Sequence, residues 1–187
     1  DETTLQVLRE PGRSAESKSY MWLYRTGREG PTIVLYDYQT TRDSKHPRRF
    51  LAGFRGYLHV DGYAGYNALQ TSAITLVGCW AHARHKFDEA LKVLPLDKRK
   101  SPVAAREGLD FCNELFAIEK ELRDVTCEER YRLRQERSLP VVEAFLSWLK
   151  YQSPRVLPKS AFGQAIAYCL NQWDKLTAFL KDGRLEL

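Results

Sequence analysis

Residues 56–69 read GYLHVDGYAGYNAL and set one carboxylate, Asp61, between a compact apolar run and a cluster of glycines and tyrosines. A carboxylate at the point where a strand ends and the backbone turns has two readings. It can start an Asp-Gly turn, with its side chain bonded to the backbone two residues on, or it can be half of a metal site. The second reading needs a partner, and Asp1 stands directly before the first extended run of the chain. Two close carboxylates repel unless a cation lies between them, and hard oxygen ligands suit Mg²⁺ or Mn²⁺. A third acid would complete a two-metal site. There the ions sit about 3.5–4 Å apart, one activating the attacking oxygen and the other stabilising the leaving oxygen. Spacing alone leaves both readings of Asp61 open.

A second group follows in CWAHARH, where Cys79-x-x-His82 is trailed by His85. A zinc site there would need a fourth ligand, and no second Cys/His pair is spaced to supply it. The alternative the residues themselves offer is a buried cysteine with a satisfied core histidine. Tyr63 and Tyr66 either pack under the Asp61 turn or stack on an unpaired base, and packing is the expectation. Basic residues gather in RDSKHPRR (42–49), DKRKS (97–101) and RYRLRQER (130–137). Such runs are solvated helix faces and loops, or they neutralise the phosphates of a nucleic acid and release its counterions. Arg48 and Arg49 in the first cluster are the candidates there for contact with nucleic-acid phosphates. Arg84 and Lys86, which open the helix after Cys79, are the others. Glu119 and Glu121 read as solvated helix-face acids.

The elements that must position these groups come in two halves with different periods. TTLQVLRE, YMWLYRTG and TIVLYDYQ are alternating, β-branched or aromatic runs joined by PGRSAES and REGP turns, an antiparallel meander. HPRRFLAGF has Phe50, Leu51 and Phe54 at helical spacing, a short crossover helix. GYLHVD is a fourth strand, YAGYNALQ a helix, and AITLVGCW a nearly all-apolar fifth strand. These make a mixed five-stranded sheet with flanking helices. Strands one and four would be parallel neighbours, which brings Asp1 and Asp61 together. After Cys79 the period becomes helical. Phe87, Ala90, Leu91 and Leu94 form one stripe, and Leu109, Cys112, Phe116 and Leu122 a second. Phe145, Trp148 and Leu149 belong to a third, and the fourth runs from Ala165 through Ile166, Cys169, Trp173 and Leu176 to Leu180. Gly183 stands where a helix C-terminus wants it.

Totals exclude some classes. The 187 residues are 43% hydrophobic and 28% charged, with a net charge of +5. That suits a globular chain with a sizeable core and argues against disorder. No run of about 18 apolar residues would span a membrane. No signal peptide argues for export, and four scattered cysteines read as reduced thiols of a cytoplasm. A first residue of Asp rather than Met suggests a piece of a longer polypeptide.

DETT, YMWLYRTG, VLYDYQTTR, FLAGFRGYLHVDGYAGYN and LVGCWAHARHKFDEAL resemble the central domain of insertion-sequence-66-type transposases, and the likeness runs on through RQERSLP to DGRLEL. It implies a ribonuclease-H-like α/β fold, a catalytic Asp-Asp-Glu triad, divalent-metal catalysis and a helical insertion between the second Asp and the Glu. By position, the family's first aspartate falls on Asp1 and its second on Asp61. The family glutamate belongs to a block beyond GRLE, and Glu186 is the nearest acid in this chain. Cys79 and His82 match a Cys-x-x-His pair at a strand-to-helix turn next to the active site, which implies a local role for His82, hydrogen-bonding near the metal carboxylates or the scissile phosphate. The implied organisation is a catalytic core over 1–95, a helical insertion over 96–181, and the start of the core's C-terminal part over 182–187. The implied activity is metal-dependent DNA cleavage and strand transfer, with Mg²⁺ or Mn²⁺ as cofactor. The implied partners are insertion-sequence ends and target DNA, with self-association on DNA and no membrane, in a bacterial cytoplasm at the nucleoid. The rival expectation is a folded, inactive nucleic-acid-binding remnant without its glutamate.

Overall fold

The three aromatic and β-branched runs become β1 (Glu2–Gln6), β2 (Lys18–Arg25) and β3 (Val34–Gln39). They pair antiparallel in the order β1-β2-β3. Trp22 lies opposite Glu2 on one side and Asp37 on the other, so these three residues share one face of the sheet. The computed structural model describes residues 1–28, 30–97 and 103–187. The DKRKS cluster from residue 98 onward, and Glu29 in the REGP turn, fall outside these described residues.

The chain divides into two compact units, Asp1–Leu76 and Val77–Leu187. In the first, the meander leads to α1 (Lys45–Phe50), a short helix as expected, and then to β4 (Gly56–Val60); β4 lies outside the meander's sheet, so α1 is not a crossover within one sheet. The YAGYNALQ segment is helical as expected but wound as a 3-10 helix over Ala64–Leu69. β5 (Ile74–Gly78) pairs with β4. The core of this unit is Trp22, Val60, Tyr66, Leu69, Ile74 and Leu76, with the Tyr66 ring edge-on to Trp22.

A mixed α/β architecture is therefore present, but the described strands do not make one five-stranded sheet. They form a three-stranded sheet and a separate β4–β5 pair. The expected ladder between β1 and β4 is replaced by side chains: Tyr66 donates to the Glu2 carboxylate and packs on Trp22. Residue patterning reports which segments are extended and which face they bury. It does not report whether two neighbouring strand edges meet through backbone or through side chains.

The second unit is helical. α2 (Trp80–Lys92) and α3 (Ala104–Glu121) are followed by α4 (Cys127–Leu133), a π-helical turn over Arg134–Ser138, and α5 (Leu139–Gln152). α6 (Ala161–Asn171) and α7 (Trp173–Leu176) complete it, before a 3-10 turn over Thr177–Lys181. The apolar stripes face one another, with Phe145 against Trp80, Phe87, Phe111, Trp148 and Trp173. The fourth stripe is not one helix. It breaks at Gln172, and the periodicity survives because the successive short helices turn the same face to the same core. Gly183 matters for close approach: a Cβ there would lie 1.9 Å from the Cys127 carbonyl oxygen.

RYRLRQER is not simply a solvated face. Arg130 and Arg134 are buried. Arg130 donates to the carbonyls of Leu122, Arg123, Val125 and Gly183. Arg134 donates to those of Phe179, Asp182 and Leu185 and to both oxygens of Glu119. Glu119 is thus a buried arginine's counter-ion rather than a solvated acid. Glu121 does reach the surface, paired there with Arg137. The two arginines satisfy carbonyls that helix ends and turns leave without intrahelical donors. They tie the 177–185 segment to α3 and α4.

Candidate functional site

Asp1 sits one residue before β1, held to β2 by backbone bonds in both directions: its N–H group donates to the Leu23 carbonyl at 3.1 Å, and its carbonyl accepts from Leu23 N–H at 2.7 Å. Asp61 follows the last residue of β4. Its Oδ1 accepts from Tyr63 N–H at 2.8 Å, an Asx turn. The turn reading of Asp61 is therefore correct in geometry, and it does not exclude the other. Carboxylate oxygens of Asp1 and Asp61 approach within 4.8 Å, with Asp1 exposed and Asp61 half-buried.

The neighbours of this pair form a chain of contacts. The Glu2 side chain is 1% exposed. It takes Arg42 Nε at 2.6 Å on Oε1, with Arg42 Nη2 paired to the same oxygen, and Tyr66 Oη at 2.5 Å on Oε2. The Arg42 guanidinium stacks 3.9 Å from the centre of the Tyr63 ring, and Tyr63 Oη donates to the Arg42 carbonyl at 2.5 Å. A Cβ on Gly65 would lie 2.3 Å from that ring, so the second glycine of the DGYAGY stretch leaves the Tyr63 side chain its place. Burial opposes charge on Arg42, but the hydrogen bond and attraction of Glu2 outweigh it and its pKa rises. Burial, then the bond to Glu2, pushes the Tyr66 hydroxyl above its ordinary range, which keeps it a donor. Tyr63 and Tyr66 pack on each other edge to face, as expected of residues lying under the turn.

The donor chemistry fits a hard cation. Asp1 and Asp61 each spend Oδ1 on a backbone N–H, Asp1 on that of Glu2. An ionised carboxylate has about four lone-pair positions over its two oxygens, so both keep acceptor capacity. Glu2, the acid next to Asp1, is ion-paired with Arg42 and hydrogen-bonded by Tyr66, and is not available in the same way.

Cys79 is the N-cap residue of α2 and half-buried. Burial works to raise its thiol pKa. Hydrogen bonding from the His82 side chain and from the amides of His82 and Ala81 outweighs this, and the pKa falls below the ordinary value. The Cys-x-x-His spacing thus builds a local pair, one turn of helix apart. His85 pairs instead with Glu89. Of the DNA-binding candidates, Arg48 and Arg49 are exposed in the last turn of α1. Arg84 donates to Asn113 and Lys86 lies 3.6 Å from Glu89. Glu186 is half-buried in the second unit, just past Leu185.

Neither Glu2 nor Arg42 stands out in the sequence: Arg42 opens the basic run RDSKHPRR, and Glu2 lies in DETT just ahead of the TTLQVLRE run. The available signal was that Glu2, directly after Asp1, alternates onto the same face as Trp22, where an acid needs a cationic partner.

The sequence model of the Transposase IS66 family matches residues 1–187. Two uncharacterized proteins of Sinorhizobium fredii, y4qI and y4jD, are each 34% identical to the chain over its full length, covering 36% and 38% of their own lengths. A third, y4hP, is 30% identical over 99% of the chain and 36% of its own length. The chain thus spans little more than a third of these relatives. No solved structure matches it, and among the described residues no helix is long and apolar enough to cross a membrane. A match to the family model from the first residue to the last, with relatives that align along the whole chain, places it in the IS66 family of transposases.

Proposed function

We propose that the chain is the catalytic core of a DNA transposase, ribonuclease-H-like in design, with residues 96–181 as the family's helical insertion. Asp1 and Asp61 would hold Mg²⁺ or Mn²⁺, and a third acid, for which Glu186 is the candidate within this sequence, would complete the set. The carrying observation is the approach of the Asp1 and Asp61 carboxylates to within 4.8 Å in a chain of a transposase family.

When bound, divalent ions supply Lewis-acid activation of an attacking oxygen and charge neutralisation at a phosphodiester. The protein's share is positioning. β2 fixes Asp1 through Leu23, and the Asx turn fixes Asp61 through Tyr63. Held in this way, the two carboxylates would keep the ions in place at the phosphate for attack by water and then by a freed 3′-hydroxyl, and positioning is most of what such catalysis requires. Arg48 and Arg49, exposed on α1, are the candidates for backbone phosphates, contacts that place DNA without reading its sequence.

The test is cleavage of insertion-sequence-end DNA by the full-length transposase with Mg²⁺ or Mn²⁺. Asp61→Asn and Asp1→Asn should each abolish it while DNA binding persists. A full-length protein that binds DNA but never cleaves it would favour the inactive remnant. Cleavage unchanged in Asp61→Asn would remove the catalytic assignment.

A further inference from the structure

Asp1 and Asp61 lie close although no backbone ladder among the described residues joins β1 to β4. Something else must set their spacing. The contacts between the two aspartates run through side chains: Asp61 bonds the Tyr63 amide, and the Tyr63 ring carries the Arg42 guanidinium. Arg42 in turn bonds Glu2, which adjoins Asp1. The Tyr63–Arg42 and Arg42–Glu2 links are each held at more than one point. Tyr63 returns a hydrogen bond to the Arg42 carbonyl, and Glu2 takes a second donor from Tyr66. We infer that Arg42 is a positioning residue that registers Asp61 against Asp1 through Tyr63 and Glu2, in place of the missing ladder.

The inference rests on the metal reading of the two aspartates, and it has a rival explanation in plain electrostatics. Arg42 brings a positive charge near two carboxylates, so its removal by charge alone should tighten the binding of a cation. Registration predicts the opposite sign. Residues that orient metal ligands typically cost about 10–100-fold in metal affinity when removed. Arginine also differs from lysine here. The stacked planar guanidinium meets Tyr63 and Glu2 at once, which a flexible point charge does not reproduce.

The experiment is titration of the 187-residue chain with Mn²⁺, followed by the electron paramagnetic resonance signal of free Mn²⁺, with metal-free melting recorded for every variant. Arg42→Ala should weaken Mn²⁺ binding about tenfold. The charge-balanced double variant Glu2→Gln/Arg42→Ala should stay weak, and Arg42→Lys should recover little. Tyr63→Leu, which keeps every charge and removes the stacking platform, should weaken binding as well and serves if Arg42→Ala fails to fold. Equal or tighter binding in Arg42→Ala, or wild-type affinity in the double variant or in Tyr63→Leu, overturns the inference. Its failure is separable from that of the metal reading. If wild-type chain binds no Mn²⁺, or Asp61→Asn binds it equally well, the metal reading is lost. If Asp61→Asn alone loses binding, only the role of Arg42 is.

Discussion

Arg134 holds Glu119 at two points, Nε to Oε1 at 2.8 Å and Nη2 to Oε2 at 2.7 Å, with the arginine side chain wholly buried and the glutamate 14% exposed. The same guanidinium reaches the carbonyls of Phe179, Asp182 and Leu185. It is a fastening for the 177–185 segment that a hydrophobic side chain of equal volume would not reproduce.

Removing one partner of such a pair leaves a charge and several carbonyls without donors. Arg134→Ala should therefore destabilise the chain by about 3–5 kcal/mol. Glu119→Gln, which keeps a hydrogen-bond acceptor at a partly exposed position, should cost less. Urea unfolding of both variants checks this. A loss under about 1 kcal/mol for Arg134→Ala would mean that water or repacking replaces the network.

Glycine substitutions separate close packing from open space. Gly183→Ala puts a methyl group against the Cys127 carbonyl at 1.9 Å, and relief requires a backbone shift costing about 1–3 kcal/mol. Gly27→Ala meets nothing within 4 Å. It should be neutral, or stabilising by about 0.4–1 kcal/mol through the unfolded chain. Thermal melts of the two variants should move in different directions or by clearly different amounts.

How far these features were legible differs by kind. The places of Asp1 and Asp61 at the ends of extended runs were legible because a carboxylate there is a local pattern, while their metal reading came from the family resemblance; the five extended runs and the α2, α3 and α5 stripes were legible too. Arg130 and Arg134 were not, because an arginine reads as solvated unless its helix face is traced. The face was traceable: Val142, Ser138, Arg134 and Arg130 are spaced by four, and all are buried. The break at Gln172 and the split into two sheets had no such trace. The first preserves apolar periodicity, and the second depends on which atoms bridge two strands far apart in sequence.

The cysteines should react in a fixed order. Cys112 and Cys169 have no exposure in the helical core. Burial pushes the Cys112 thiol up to about 12, and that of Cys169 well above its ordinary value. Both should resist alkylation until the protein unfolds. Cys79, with its pKa lowered beside His82, carries more thiolate at neutral pH, and thiolate is the nucleophile. Its alkylation rate should rise with pH through a midpoint below that of an ordinary thiol, and His82→Ala should move that midpoint upward. A midpoint unmoved by His82→Ala would show that the helix amides alone lower it.

Metal linkage provides the last prediction. Two ionised carboxylates with oxygens within 4.8 Å repel in the absence of a cation, and the repulsion destabilises the folded state relative to the unfolded one. A divalent ion that binds only the folded pair stabilises it by mass action. At 100 times its dissociation constant the gain is about 2.7 kcal/mol. For a chain of this size that corresponds to a rise in melting temperature of roughly 5–10 °C. Mn²⁺ or Mg²⁺ should produce this rise in wild-type protein, and a chelator should reverse it. Asp61→Asn should change two things with opposite sign. Without metal its melting temperature should equal or exceed that of wild type, because one repulsive charge is gone while the amide oxygen still accepts from Tyr63. With metal it should gain little. The crossing of these two orders, wild type below the variant without metal and above it with metal, is the signature of a cation held between Asp1 and Asp61. A variant that is simply less stable under both conditions would make Asp61 a turn residue, and the carboxylate pair an accident of two strand ends.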